Sequence, residues 1–163
     1  MAALTIPEIK KILYTTDLSA NARHAFVYAA SMAHRYGAGI TILHVLEAPP
    51  ISVYFLGEQW EEIKGKNVER AITEVNTRLD KFRANMSTEL ASHPFTVDDI
   101  RIKVGIPEEH ILREAEEGDF DVVVMGTHGH GAFADAMMGS TARRVLRRSK
   151  KPVLVVRLPE VDD

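Results

Sequence analysis

Cysteine is absent from this chain of 163 residues, so disulfides, thiolate metal sites and cysteine nucleophiles are excluded. No run of apolar residues approaches the roughly 20 that span a bilayer. The first residues also lack the long apolar core and small-residue cleavage site of a signal peptide. Neither sign of charge is in large excess, since the net charge is −3. Such a balance favours neither nucleic acid nor an anionic membrane as a partner. We expect a cytoplasmic protein that binds neither.

The composition that is present is that of an ordinary globular protein. Apolar residues make up 45% of the chain and charged residues 26%. The length suits one domain with one sizeable core, and the sequence has no internal repeat or low-complexity tract. We therefore expect residues 1–163 to form a single domain whose core runs from about residue 9 to residue 158.

Five short β-rich segments alternate with helical segments along the chain. The strands are predicted at Lys11–Thr16, Gly39–Leu46, Thr96–Val104, Asp121–Met125 and Pro152–Arg157. The runs ILYTT, VVVM and VLVV are continuously apolar, which is typical of strands buried on both faces of a parallel sheet. The sequence thus predicts a doubly wound α/β domain with a five-stranded parallel sheet of order 3-2-1-4-5 and helices on both faces.

Four helices are predicted between the strands. The first follows Asp17 or Ser19, either of which can cap it, and Gly37 stops it. The others run from Glu58 to about Ala91, from Pro107 to about Glu117, and from about Thr141 to Arg148. The long one carries an apolar stripe of Trp60, Ile63, Val68, Ile72, Val75, Leu79, Phe82, Met86 and Leu90. Its start is weakened by Gly57 and Gly65, and a long connection from Glu47 to about Gly57 is predicted before it.

A glycine-rich segment, residues 125–141, joins the fourth strand to the last helix. Glycines let the backbone approach a ligand closely, and the free N–H groups of a helix start attract negative charge. Ser140 and Thr141 add hydroxyl donors. Gly126 and Asp17 both lie at carboxyl ends of strands, where open α/β sheets bind their ligands. The segment is therefore predicted to hold an anion such as the phosphates of an ATP-like nucleotide.

Two well-known phosphate loops fit this segment poorly. A Walker loop needs a lysine before the Ser or Thr, and none precedes Ser140 or Thr141. A Rossmann fingerprint belongs to the first strand–helix turn, whereas this segment follows the fourth strand. The glycines could instead serve only a sharp connection, a reading that we favour for Gly131 alone but not for Gly126, Gly129 and Gly139 together.

The spacing of this segment is similar to that of the universal stress protein family. The nucleotide-binding branch of that family carries Gly-x2-Gly-x9-Gly-Ser/Thr, which Gly126, Gly129, Gly139 and Ser140 match in full. The closing helix and strand and the start of the chain, from Lys11 to Asp17, also resemble the family. The resemblance extends from about residue 9 to residue 157 and is weakest between residues 47 and 96.

The resemblance implies an adenine nucleotide, ATP, accompanied by Mg²⁺ or Mn²⁺ at its phosphates. Thr16 and Asp17 would approach the base and ribose, and Val45 would contact the adenine. Seven further residues would line the path of the ribose and phosphates: Met125, Gly126, His128, Gly129, Gly139, Ser140 and Thr141. His130 and Gly131 depart from the family, since many relatives carry an arginine or another bulky polar residue there. The last strand, Val153–Val156, is expected at the edge of the sheet, where an open apolar strand favours pairing with another chain. We therefore expect a homodimer that pairs through this strand, and its resemblance to the family's dimerising strand supports that expectation.

Other residues admit other readings. His128 and His130 could bind a transition metal, but no third ligand is evident nearby. His44 lies within a predicted strand and is interpreted as a packed or rim residue and not as a metal ligand. The basic run that includes Arg143, Arg144, Arg147 and Arg148 is interpreted as a solvated helix face that leaves Val145 and Leu146 towards the core.

Three classes of function remain open from the sequence. The first is a regulatory or stress-response module in which ATP biases a conformation or a partner surface. The second is a slow ATP hydrolase, since acceptors such as Asp17 and Asp135 are present without a defensible catalytic pair. The third is a nucleotide-free interaction domain. No catalytic residue is assigned.

Overall fold

The computed structural model describes residues 4–19, 22–47, 52–127 and 138–157, with the backbone alone for residues 52–58. Five strands alternate with helices in the described chain: β1 Lys11–Thr16, β2 Gly39–Glu47, β3 Thr96–Gly105, β4 Val122–Gly126 and β5 Val153–Val156. Every pairing is parallel, and the strand order is β3-β2-β1-β4-β5. The predicted sheet and its order are confirmed.

Within the described residues, five helices connect the strands: α1 Ala22–Tyr36, α2 Ser52–Asn85, α3 Ser87–Ser92, α4 Pro107–Glu117 and α5 Ser140–Arg148. Gly37 ends α1 with a φ of +64°, a conformation that glycine adopts without steric cost. Pro107 opens α4 at its first position, where a missing N–H is harmless. Within the described residues, no helix is both long enough and apolar enough to cross a bilayer.

The two faces of the sheet are covered by different helices. On one face Ile12 and Tyr14 of β1 pack with residues of α1 and α2, among them Phe26 and Val75. On the other face Leu13, the strand residue between them, packs with residues of α4 and α5. Side chains of a strand alternate between faces, so a continuously apolar strand supplies both layers. The predicted placement of helices on both faces is confirmed.

The two glycines expected to weaken the start of the long helix do not interrupt it. The helix α2 begins at Ser52 and continues through Gly57 and Gly65, so the predicted connection from Glu47 to Gly57 was too long. Each glycine disfavours a helix by about 1 kcal/mol, which neighbouring interactions can offset. Glu62 and Lys66, four residues apart, form an ion pair of 2.6 Å across this region. The helix also ends earlier than predicted, at Asn85, and α3 follows it.

The apolar stripe predicted for the long helix was partly wrong. Ile63 and Ile72 are 43% and 39% exposed, whereas Ala71, Val75 and Leu79 are buried. These three residues are four apart and therefore share one face, and the single-residue offset of Ile72 from Ala71 carries it about 100° away. A small alanine on the buried face was overlooked because larger side chains dominated the pattern.

A similar offset changes one residue of α5. Val145 is fully buried and Ala142, three residues earlier, is 3% exposed, but Leu146 is 41% exposed. The prediction that Leu146 faces the core was therefore wrong. The buried face of this nine-residue helix is narrow and contains Ala142 and Val145, which are three residues apart. Leu146, one residue further, is turned about 100° away from Val145.

Candidate functional site

A cavity of about 770 Å³ lies at the carboxyl ends of the central strands. The strand order reverses between β1 and β4, because β2 and β3 lie on one side of β1 while β4 and β5 lie on the other. This switch point is where open α/β sheets have room for a ligand, since the flanking connections run to opposite faces. The volume falls within the range of about 300–1,000 Å³ that is usual for small-molecule sites.

The structure brings the described members of the predicted site together. Ten residues were predicted, and His128 and Gly129 lie outside the described residues. The other eight all line this one cavity: Thr16, Asp17, Val45, Met125, Gly126, Gly139, Ser140 and Thr141. They come from three strand ends and one helix start that are far apart in the sequence.

The helix α5 begins at the cavity. Gly139 is its N-cap residue, and no described side chain caps the first turn. The N–H of Gly139 donates to the carbonyl of Thr127 at 2.7 Å, which fixes the helix start against the end of β4. The first N–H groups of a helix have no partner inside the helix and carry a partial positive charge. The φ of Gly139 is −55°, which any residue adopts, so the backbone conformation does not by itself require glycine at this position.

Two side chains hold the turn between β1 and α1. Thr16 Oγ1 accepts the N–H of Leu18 at 3.1 Å, and Asp17 Oδ1 accepts the N–H of Ser19 at 2.9 Å. Leu18 has a φ of +63°, which is unfavourable for a residue with a branched side chain. Because α1 begins only at Ala22, Asp17 stabilises the turn before the helix and still lines the cavity.

Two polar side chains of the strands are fixed at this edge of the sheet. His44 is 7% exposed, and its Nδ1 lies 2.8 Å from the carbonyl of Thr16. A carbonyl can only accept, so Nδ1 carries the proton and ties the end of β2 to the end of β1. The Tyr14 hydroxyl donates to the carbonyl of Ala22 at 2.8 Å. Burial raises the pKa of Tyr14 to about 12, so this phenol stays neutral.

Several lining residues were not predicted as site residues. His44, Pro107, Ile111 and Thr127 all contribute to the wall of the cavity. His44 and Thr127 are sequence neighbours of predicted residues, so widening each motif by one position would have found them. Pro107 and Ile111 come from α4, which the strand order brings beside the cavity, and no local sequence signal marks them.

The charges that line the cavity are acidic. Asp17 and Glu47 are among the lining residues, and no lysine or arginine is found among those that the structure describes. Arg144, on the exposed face of α5, instead pairs with Glu108 at 2.6 Å. Among the described lining residues, the N–H groups and the dipole at the start of α5 are a source of positive charge for an anion.

The two lysines that follow α5 pair with acidic residues of the neighbouring helix and turn. Lys150 pairs with Glu116 at 2.7 Å, and Lys151 pairs with Asp119 at the same distance. Both pairs lie at the surface, where water and salt weaken the attraction. The arginines of α5 are exposed, as expected of a solvated face. This surface stabilises the packing of α5 on α4 and lies outside the cavity.

Residues 8–157 match the model of the universal stress protein family. The chain belongs to this family. Universal stress protein MJ0577 of Methanocaldococcus jannaschii is 32% identical over 158 residues, which cover 91% of this chain and 94% of that protein. A universal stress protein of Thermus aquaticus is 33% identical over 149 residues, 91% of this chain and 98% of the relative.

Solved universal stress proteins share the fold. A structure of MJ0577 superposes with a TM-score of 0.60 over 93% of this chain and 97% of that one. UspA from Lactobacillus plantarum gives a TM-score of 0.68 at 24% identity, over 93% of this chain and all of that one. A universal stress protein in complex with cAMP is 23% identical with a TM-score of 0.60, and one from Archaeoglobus fulgidus in complex with dAMP is 19% identical with a TM-score of 0.52. At those identities the similarity shows the fold alone.

Proposed function

We propose that this universal stress protein binds ATP in the carboxyl-edge cavity and acts as a nucleotide-dependent regulatory or stress-response module. One observation carries the proposal: the eight described residues of the predicted nucleotide site line a single cavity at the switch point of the sheet. Two proteins of the same fold hold cAMP and dAMP, which are adenine nucleotides of the same ligand class. Function does not follow from fold alone, so the local chemistry has to support it.

The walls of the cavity suit the three parts of a nucleotide. Val45 and its apolar neighbours offer a surface for the adenine. The Asp17 carboxylate is an acceptor at the strand end, which suits the donor hydroxyls of a ribose. The phosphates would lie at the start of α5, held by its first N–H groups and by the hydroxyls of Ser140 and Thr141. Gly126 and Gly139 leave space for this approach, and His128 and Gly129 are proposed to extend the same path.

The described residues fit a divalent cation only if the nucleotide supplies most of its ligands. No group of three or more metal-ligating side chains is found in the described part of the chain. Mg²⁺ is usually bound through one or two carboxylates, several waters and the phosphates of its nucleotide, and dedicated all-protein cages are rare for it. Mg²⁺ or Mn²⁺ would neutralise phosphate charge in a cavity whose described walls are acidic, with Asp17 as a candidate ligand.

Rapid hydrolysis does not suit this site. Phosphoryl transfer needs a positioned base, metal ligands and cations that stabilise the transferred phosphate. The described lining residues supply the carboxylates of Asp17 and Glu47 but no lysine or arginine. A slow ATP hydrolase is therefore the second candidate, and a nucleotide-free dimeric interaction domain is the third.

The edge strand β5 supports a proposal about assembly. It pairs only with β4 in the described sheet and leaves its other edge open. Open apolar edges favour pairing with another chain, so we propose a homodimer in which Val153–Val156 pairs with its copy. Sedimentation at micromolar concentration should give twice the monomer mass, and a monomer would contradict it. The proposed location remains the cytoplasm.

The nucleotide content of the purified protein tests these candidates. Freshly purified protein is heat-denatured, and the supernatant is separated on a nucleotide-resolving column. We expect ATP close to one equivalent per chain, which slow or absent turnover would preserve. ADP alone would favour the hydrolase. No nucleotide, together with no heat of binding when Mg-ATP is titrated into the protein, would favour the interaction domain and overturn the proposal.

A further inference from the structure

A second cavity, of about 600 Å³, lies on the opposite face of the sheet between α1 and α2. Its floor is aromatic and aliphatic. Phe26 lines it, and the Phe26 ring centroid lies 5.1 Å from that of Tyr14 and 4.9 Å from that of Phe82 in edge-to-face contacts. Ile42, Val75, Leu79 and Met86 complete the apolar wall. Protein interiors are normally close-packed, so an apolar space of this size beside the core indicates room for an apolar ligand.

The rim of this apolar cavity carries positive charge. Arg23, Arg78 and Lys81 line it with His24, and no aspartate or glutamate is among its described lining residues. Arg78 is already engaged, because it pairs with Glu74 at 2.6 Å and donates to the carbonyl of Ser19 at 3.2 Å. Arg23 and Lys81, by contrast, form no ion pair within the described chain. Two cations at the mouth of an apolar cavity suit one anionic group.

The wall of this cavity also contains a buried hydroxyl group. Ser19 Oγ is buried at the wall of the apolar cavity and has no hydrogen-bond partner among the described residues. Most buried polar atoms in proteins are paired, because leaving one unpaired has a cost in free energy. A hydroxyl in this position can donate to a carboxylate oxygen. The apolar floor, the cationic rim and the hydroxyl together define a ligand with an apolar body and a single anionic head.

We propose that the cavity between α1 and α2 binds a small amphipathic carboxylate, with its apolar body on Phe26, Leu79 and Phe82 and its carboxylate near Arg23 and Lys81. This site is separate from the proposed nucleotide site and does not depend on it. A cationic amphiphile is disfavoured by the same rim, and a neutral one lacks a partner for the cations. The charge of the ligand is therefore the property that the test varies.

Calorimetric titration of the full chain with decanoate tests the proposal, with decyltrimethylammonium as a probe of equal chain length and opposite charge. Both are used below their micellar concentrations. We expect decanoate to bind at one site per chain and the cation to bind at least about tenfold more weakly. Equal binding of the two probes, or no binding of decanoate, would overturn the proposal.

Two matched pairs of variants locate the site. Val27 is 41% exposed at the mouth of the cavity, and Tyr28 is 54% exposed outside it, so both accept a new charge without burial. Val27→Glu should weaken decanoate binding about tenfold through repulsion, whereas Tyr28→Glu should leave it unchanged. If both variants, or neither, weakened binding, the site would lie elsewhere.

The second pair removes charge without adding any. In the double variant Arg23→Gln/Lys81→Gln, decanoate should bind about tenfold more weakly. The control double variant Arg70→Gln/Arg83→Gln removes two exposed cations that do not line the cavity and should bind as the wild type does. Equal weakening in both would mean that net charge alone acts, which would overturn the site. The ATP released on heating should be the same in all variants, so the two proposals can fail separately.

Discussion

The two cavities of this protein border the same end of the same sheet but offer opposite chemistry. The carboxyl-edge cavity is lined by Asp17 and Glu47 and by the start of α5, and its described walls carry no lysine or arginine. The cavity between α1 and α2 is lined by Arg23 and Lys81 and, in its described walls, by no carboxylate. One cavity offers backbone N–H groups to an anion, and the other offers side-chain cations. The two proposed ligands would therefore use different sources of positive charge.

A common wall separates the two cavities. Tyr14, Thr16, Leu18 and Ala22 line both of them. The wall includes the strained residue Leu18, with a φ of +63°, which Thr16 Oγ1 helps to hold in place. Strained residues persist where the surrounding structure determines them, and they are frequent at ligand sites. The turn between β1 and α1 therefore borders both cavities.

The largest expected effect is a loss in the free energy of unfolding when a leucine is shortened on the more closely packed face of the sheet. Leu13 is fully buried and lines neither cavity, whereas Leu79 lines the apolar cavity. Leu13→Ala should lower the free energy of unfolding by about 4–5 kcal/mol, and Leu79→Ala by only about 2–3 kcal/mol, because Leu79 already borders empty space. Urea unfolding with unchanged m-values measures both. Equal losses would show that the cavity between α1 and α2 is closed in solution.

A change at the start of α5 should separate nucleotide binding from stability. Gly139→Asp places a carboxylate where phosphates are proposed to lie, so ATP affinity should fall about a hundredfold, as expected when charge-assisted hydrogen bonds worth about 1.5–3 kcal/mol are lost. The same aspartate is a good N-cap residue and should leave the free energy of unfolding unchanged or raise it by a few tenths of a kcal/mol.

Gly65→Asp is the matched control for this variant. Gly65 lies in α2, and a side chain there meets no atom within 4 Å. ATP affinity, measured by calorimetry, should therefore stay at the wild-type value. If Gly139→Asp also bound ATP normally, the phosphates would not lie at the start of α5.

The smallest expected effect comes from the wall between the cavities. Tyr14→Phe removes the hydrogen bond to Ala22 and should lower the free energy of unfolding by about 1 kcal/mol at neutral pH. Burial raises the pKa of Tyr14 from 10.0 to about 12. An unfolded tyrosine ionises above pH 10 while the folded one stays protonated, so this contribution to stability is lost as pH rises through 10 to 12. Tyr14→Phe should therefore lose less stability than the wild type between pH 10 and pH 12.

Unfolding measured from pH 8 to pH 12 tests this pH dependence. Tyr28→Phe serves as the control, because Tyr28 is 54% exposed. The free energy of unfolding of this variant should fall with pH as that of the wild type does. A pH profile of Tyr14→Phe that runs parallel to the wild type would show that Tyr14 is not buried in solution.

The features that follow from local pattern were predictable from the sequence. The apolar runs of β1 and β4 and the helix start at Pro107 gave the strand and helix positions to within a residue or two. The glycine spacing pointed to a family resemblance, and that resemblance implied the eight described residues that line one cavity. These signals are local because turn chemistry, burial on both faces and helix starts each depend on a few neighbouring residues.

The features that were missed depend on tertiary contacts. The buried face of α2 runs through Ala71, and no pattern of large apolar residues marks an alanine. The contribution of Ile111 to the carboxyl-edge cavity depends on where the strand order brings α4. The apolar cavity depends on how far α2 stands from Phe26, a distance set by packing. Such spacing is not encoded in any short stretch of sequence.

We propose that ATP lies at the carboxyl edge of the sheet with its phosphates at the start of α5. NMR can follow the backbone amide resonances of the protein while Mg-ATP is added. We expect the largest shifts at the N–H groups of Gly126, Ser140, Thr141 and Ala142, with small shifts at Leu79 and Phe82 in the other cavity. Shifts confined to the cavity between α1 and α2, or no shifts at saturating Mg-ATP, would contradict it.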